Sequence, residues 1–226
     1  MPPPSTDTVQ DGSSTTNRAA GSGIDQGRAR VLECRGVERR FGGLVALSGV
    51  DLHIDRGEIF GLVGPNGSGK TTMTNAITGF YPPQQGQILL HGHNITGMAP
   101  HAVARHGVAR TFQNLALFNG MTVLDNILLG RHVHMRPSVM RTLLYPWLSR
   151  DEEIEHRRVV EDIIDFMQLQ GVRDELVDAI PIGLKKRVEL ARALVAEPSF
   201  LILDEPMAGM NQEEKEYMAR FVLDAR

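Results

Sequence analysis

The sequence predicts an α/β fold with a mainly parallel sheet, an antiparallel β subdomain and a helical subdomain. Three observations carry that prediction. The apolar run 58–63 (EIFGLV) leads directly into a glycine-rich loop and then a helical pattern, as a buried parallel strand would. A second apolar run, 200–203, ends on the acidic pair Asp204 and Glu205. Upstream of both, two segments from Val31 onward carry β-branched and apolar residues in partial alternation, the pattern of half-buried antiparallel strands.

Taken in order, Asp55, Arg56 and Gly57 supply a turn after the second of these segments. The helical pattern after the glycine loop ends at Gly79, a residue suited to a helix C-terminus. Residues 87–91 read as a further strand. Residues 100–106, opened by Pro100 and closed by Gly107, read as a short helix. Residues 108–112 read as a strand ending at Gln113. From about 114 to 180 the chain turns helical. Thr122 with Asp125, and Ser149 with Glu152, have capping-box spacing, and Val160, Ile163, Ile164 and Met167 fall on one helical face. Beyond Pro181, Leu184, Val188, Ala191 and Val195 share a face, and Asn211 with Glu214 caps a last helix. Residues 1–29, rich in Pro, Ser, Thr, Gly and Asp, bury too little surface to offset their ordering entropy and are expected to be a disordered tail. The expected organisation is therefore a tail over 1–29 and one domain over 30–226, with its helical subdomain at about 114–183.

Bulk properties narrow the function classes. A formal net charge of −3 gives no basic footprint, so nucleic acid is not expected as a partner. The single cysteine, Cys34, excludes a disulfide within the chain and fits a reducing cytosol. The opening residues lack the apolar stretch of a secretory signal. No apolar run approaches the length of a membrane span, so work at a membrane requires another subunit.

Residues Gly64, Pro65, Asn66, Gly67, Ser68, Gly69, Lys70 and Thr71 fit the phosphate-binding pattern G-x-x-x-x-G-K-[ST], and Thr72 follows. Glycines let backbone amides approach phosphates closely, and the helix that follows points its positive end at the same charge. Lys70 is expected to reach the β- and γ-phosphates of ATP, and the Thr71 hydroxyl to ligate Mg²⁺. Asp204 and Glu205 lie at the carboxyl end of a strand, where ligand crevices form in parallel sheets. Asp204 suits Mg²⁺, and Glu205 suits a general base or a group that polarises water. On its own, such an acidic pair is as readily a solvated strand end; the glycine loop tips the reading towards chemistry.

The ordered set FGGLVAL, GPNGSGKTT, ARTFQNLALF, IGLKKRVELARAL, FLILDEP and AGMN resembles the ATP-binding subunits of ABC transporters, and within them the branched-chain amino acid importer group. The resemblance runs from about Val31 to the end. It implies a P-loop NTPase fold of the ABC ATPase type and ATP hydrolysis coupled to import of branched-chain or related amino acids. It implies a peripheral place on the cytoplasmic face of the inner membrane. The partners it implies are membrane permease subunits and a second ABC ATPase subunit, closing head to tail around two ATP molecules. By the same resemblance Phe41 stacks on adenine, Gln113 touches Mg²⁺ and senses the γ-phosphate, and residues 208–211 cross to the partner subunit. A soluble ABC protein outside transport, or a catalytically silent nucleotide-binding subunit, are the alternative readings.

Two departures from the family pattern stand out. Where most members have serine and two glycines, this chain has Pro181, Ile182 and Gly183. Pro181 offers neither an N–H nor a hydroxyl, which leaves the helix start and the Gly183 N–H to meet the partner's ATP. The family's switch histidine follows a strand beyond the AGMN segment, and no histidine lies after Asp204, so the chain is expected to be truncated at its C-terminus. Of the remaining features, His91, His93, His101 and His106 form no recognisable zinc set. Met135, Met140, Leu143, Leu144, Tyr145 and Trp147 read first as core and second as a permease-docking surface. Lys185, Lys186 and Arg187 read as a solvated helix face that also attracts phosphate.

Overall fold

The computed structural model describes residues 29–111, 116–131 and 148–226 of the chain. It opens with a hairpin of two long strands, β1 (Arg30–Phe41) and β2 (Leu44–Asp55), joined by Gly42 and Gly43. They pair antiparallel, with Phe41 opposite Leu44 and Arg39 opposite Leu47. β3 (Gln85–Leu90) adds to the other edge of β1 and the short β4 (His93–Asn94) follows, giving the order β2-β1-β3-β4. Alternation explains which face is buried. Leu32, Cys34, Ile88 and Leu90 point into one core, where Met73, Ala76 and Ile77 of helix α1 (Lys70–Ile77) cover them. Helix α2 (Pro100–Arg105), with proline at its start, leads into β5 (Val108–Arg110).

β5 pairs in parallel with β6 (Phe200–Ile202), placing Arg110 opposite Ile202, and the Thr111 amide donates to the Ile202 carbonyl at 2.9 Å. These two are the parallel strands among the described residues. The expected strand over 58–63 is not one of them. It forms no ladder, and Ile59, Phe60, Leu62 and Val63 stay exposed, Val63 at 93%. Apolarity alone does not make a strand. A strand needs a neighbour to take its N–H and C=O groups, and β5 and β6 pair with each other.

The helical subdomain has a separate core. Helix α3 (Val123–Gly130) starts with the expected capping box: Thr122 Oγ1 accepts from the Asp125 amide at 3.1 Å. Asn126, fully buried, accepts from the Phe118 amide and donates to the Phe118 and Thr122 carbonyls, which fixes the chain entering the helix. Helix α4 (Leu148–Phe166) contains Ser149 instead of starting after it, so the second expected cap is not the helix boundary. Val160, Ile164 and Met167 pack with Val123, Ile127 and, from α5 (Ile182–Leu194), Val188 and Ala191. Helix α6 (Gln212–Asp224) closes this core with Met218 and Phe221, and Leu201 of β6 reaches into it. β6 therefore serves two cores, since Ile202 belongs to the first.

Two predictions follow from this packing. Burial, with a smaller push from the charge of Glu33, raises the Cys34 thiol to about 12, so the thiolate is scarce. Alkylation of Cys34 is expected to be slow in the native protein and fast in denaturant; equal rates would show that β1 opens locally. At α6, the Asn211 side chain accepts from the Glu214 amide and the Glu214 carboxylate accepts from the Asn211 amide, both at 2.9 Å. Asn211→Ala is expected to remove about 1 kcal/mol of stability, read as a melting temperature lower by roughly 2–4 °C for a chain of this length.

Candidate functional site

The glycine loop spans 64–69 and delivers the chain into α1. Its last residue, Gly69, adopts φ 91° and serves as the helix N-cap without any side-chain cap. A side chain there is excluded twice, because the left-handed φ favours glycine and because a Cβ would lie 2.5 Å from the Ala46 carbonyl of β2. The first amides of α1 thus have no protein side chain capping them and sit at the positive end of the helix. Such a helix start suits an anionic ligand. Lys70 folds back over the loop, its Nζ donating to the Gly64 and Pro65 carbonyls at 2.6 and 2.8 Å. Gly64, Pro65, Asn66, Gly67, Ser68 and Thr71 are exposed, and Thr72 is half-buried.

Asp204 and Glu205 follow β6. The Asp204 amide donates to Thr111 Oγ1 at 3.2 Å, and its Oδ2 lies 2.9 Å from Arg110 Nη2. The other terminal nitrogen of Arg110, Nη1, donates to Asn75 Oδ1 of α1 at 2.6 Å. One guanidinium, 8% exposed, therefore ties the helix of the glycine loop to the acidic strand end. Glu205 is exposed and holds φ 47°, a conformation that costs a non-glycine residue on the order of 1–3 kcal/mol and concentrates at functional sites. Asp204 and Thr71 offer the hard oxygen donors that Mg²⁺ prefers.

Arg110 carries this arrangement, and sequence reasoning assigned it no role. A signal existed: in a parallel pair, an arginine at the end of one strand stands beside an aspartate at the end of the next. Arg110 also borders a cleft of about 580 Å³ between the two cores, lined among others by Phe80, Val103, Phe118, Glu189 and Arg192.

The other candidates scatter. Phe41 sits at the end of β1, 39% exposed, edge-on to Tyr81. Gln113 lies outside the described residues, as do the apolar residues between Met135 and Trp147. Gly183 is buried in the first turn of α5, where an added Cβ would fall 2.1 Å from Glu214 Oε1. A side chain there would have to displace the Glu214 carboxylate of α6. The basic cluster is not a solvated face. Lys186 is buried 3.5 Å from the buried Glu189, and the Arg187 guanidinium lies 5.3 Å from both the Tyr217 and Phe221 rings. The reason is position: these residues point towards α6 and the core instead of away from them.

A glycine loop feeding a helix, with an acidic strand end tied to that helix, defines a phosphate-binding site of the P-loop NTPase class. The ABC transporter family model matches residues 47–208. The chain is 36% identical over 196 residues to the high-affinity branched-chain amino acid transport ATP-binding protein BraF of Pseudomonas aeruginosa, covering 87% of this chain and 77% of that one. Its identity to the corresponding protein LivG of Escherichia coli K12 is also 36%, over the same shares. Among solved structures it resembles the ADP conformation of an ATP-binding cassette of an ABC transporter, with a TM-score of 0.73 and 31% identity over 86% of this chain and 76% of that one. The cbiO1 subunit from Clostridium perfringens matches with a TM-score of 0.72 at 25% identity, over 87% and 73%. The chain belongs to the ABC transporter family of ATP-binding cassettes.

The Arg110 link makes a prediction about this cassette. Arg110→Met is expected to destabilise the protein by roughly 1.5–3 kcal/mol, the range for a hydrogen bond to a charged group. In a double-mutant cycle with Asp204→Asn, urea titrations should give a coupling of about 0.5–3 kcal/mol. Simple additivity would show that the two groups do not sense each other.

Proposed function

We propose that this chain is the ATP-hydrolysing, energy-coupling subunit of an ABC importer for branched-chain or related amino acids. The observation that carries the proposal is the glycine loop with its uncapped helix start, tied through Arg110 to Asp204. The names of the relatives support the solute class.

The loop amides and Lys70 would bind the triphosphate, with Lys70 exchanging the Gly64 and Pro65 carbonyls for phosphate oxygens. Thr71, Gln113 and Asp204 would hold Mg²⁺, which supplies charge neutralisation at the β- and γ-phosphates when bound. Phe41 would stack on adenine. Glu205 would orient and polarise the attacking water, a role its left-handed backbone conformation supports. Rate acceleration then rests on positioning and electrostatic complementarity.

Further parts of the proposal concern assembly. A second ABC ATPase subunit would approach with its own residues equivalent to Gly183 and 208–211. A membrane permease would take up the resulting motion through the helical subdomain, at about 114–183 of a domain running from 30 to 226. The separate cores of the two parts support that division. No helix among the described residues is long and apolar enough to cross a membrane, so the span would belong to the permease and this chain would sit on its cytoplasmic face.

ATP turnover by the purified chain, beside Lys70→Ala and Glu205→Gln, tests the proposal. Lys70→Ala is expected to lose nucleotide binding. Glu205→Gln should keep binding and lose at least about a hundredfold in turnover, as removal of a general base does. Turnover unaffected by Glu205→Gln would overturn its role, and Lys70-dependent binding without turnover in the wild type would mark a silent subunit.

A further inference from the structure

Where β1 ends, three side chains form a cluster to which the phosphate machinery assigns no part beyond Phe41. Arg39 and Phe41, two residues apart, project from the same face of the strand. The Arg39 guanidinium carbon lies 4.9 Å from the centre of the Phe41 ring and 6.0 Å from that of Tyr81, within the range of cation–π attraction. The two rings meet edge to face, 5.5 Å apart at 80°. The guanidinium is held from the other side as well, because Nη1 donates to the Pro82 carbonyl at 2.7 Å, while its buried Nε has no hydrogen-bond partner among the described residues.

The cluster is anchored to the helix of the glycine loop. The Tyr81 amide donates to the Asn75 carbonyl of α1 at 3.1 Å, and the Arg40 amide donates to Gln84 Oε1 at 2.7 Å, so the segment after α1 is stitched to the end of β1. Across the hairpin Arg39 pairs with Leu47, whose Cδ2 lies 3.2 Å from the position a Cβ would take at Gly69. The last residue of the phosphate loop therefore rests on the strand position facing Arg39. Both residues remain open to solvent, Phe41 39% and Tyr81 45% exposed. A flat aromatic group attached to a loop-bound triphosphate is the kind of ligand such a surface takes.

We propose that Arg39, supported by Tyr81, is a positioning residue that holds the Phe41 ring as the platform for the purine base and so sets the base-dependent part of nucleotide affinity. The inference rests on the reading that the loop binds ATP with adenine at Phe41. Its physical content is that a freely rotating half-exposed phenylalanine loses rotamer freedom when a base stacks on it. A ring already clamped by a guanidinium on one side and a tyrosine edge on another has little left to lose.

Calorimetric titration of the full chain with MgATP and, separately, with magnesium tripolyphosphate tests this, using Arg39→Met, Arg39→Lys, Phe41→Leu and Lys70→Ala. Phe41→Leu should weaken ATP by roughly five- to tenfold, towards the lower end for one base–aromatic stack, and leave tripolyphosphate unchanged. Arg39→Met should weaken ATP by about three- to tenfold, again without affecting tripolyphosphate, and Arg39→Lys should recover most of that loss. Lys70→Ala should lose both ligands. Arg39→Met binding ATP like the wild type, while Phe41→Leu does not, would overturn the inference alone. Equal loss of both ligands in Arg39→Met would also overturn it, by showing a general structural role. ATP affinity unchanged in Phe41→Leu would remove the adenine reading beneath it, with the Lys70 result still standing for the phosphate site.

Discussion

The bridge from Asn75 through Arg110 to Asp204 is the contact on which the rest of the site depends. β5 and β6 are each three residues long, and the run leading into the glycine loop has no ladder partner among the described residues. Sheet hydrogen bonds therefore contribute little to placing α1 relative to the acidic strand end. A guanidinium can do so because it is planar, has donors on opposite edges and keeps its charge in a nearly closed environment. Exposed ion pairs contribute little, but Arg110 is mostly withdrawn from water, where the pairing is stronger and loss of either partner leaves an uncompensated charge. The same side chain follows Val108 and Ala109 in β5 and so stands at the entrance to the segment 112–115 and Gln113.

Contacts of a similar character tie the helical subdomain together internally. Arg192 of α5 donates to the Ala116 carbonyl at 2.5 Å and lies 5.9 Å from the Phe118 ring. Arg131, after α3, donates to the Val195 carbonyl and His156 Nδ1, both at 3.0 Å, and pairs with Glu197. These directional contacts hold together segments around the second core, beside a cleft that α5 shares with β5.

Much of this was legible in the chain. The β1–β2 pair, α1, the capping boxes at Thr122 and Asn211, and the apolar stripe of α5 appeared because each obeys a local rule: alternation, a phosphate-loop spacing, a cap, a helical period. What stayed hidden depended on tertiary neighbours. Residues 58–63 are apolar enough for a buried strand, but pairing is a property of two segments and only one was in view. Lys186 and Arg187 look solvated in a linear reading, but tertiary packing buries Lys186 beside Glu189 and sets the Arg187 guanidinium against the α6 rings. Arg110 and Arg39 escaped for the same reason, since an arginine's meaning lies in what its fork reaches, about 6 Å from its own backbone.

Gly183 shows how a family residue acquires a second physical reason. As a ligand, glycine leaves its N–H accessible at a helix start. As packing, it makes room for Glu214, whose other carboxylate oxygen accepts from the Asn211 amide. The start of α5 and the loop before α6 are thus locked together by one carboxylate: Oε1 crowds Gly183, and Oε2 caps the end of the segment 208–211. Both segments are the ones by which a second subunit would be read. Were a second subunit to approach here, the bulk of Ile182, 43% exposed beside Gly183, would limit how close it comes, which is where this chain departs from a signature built of two glycines.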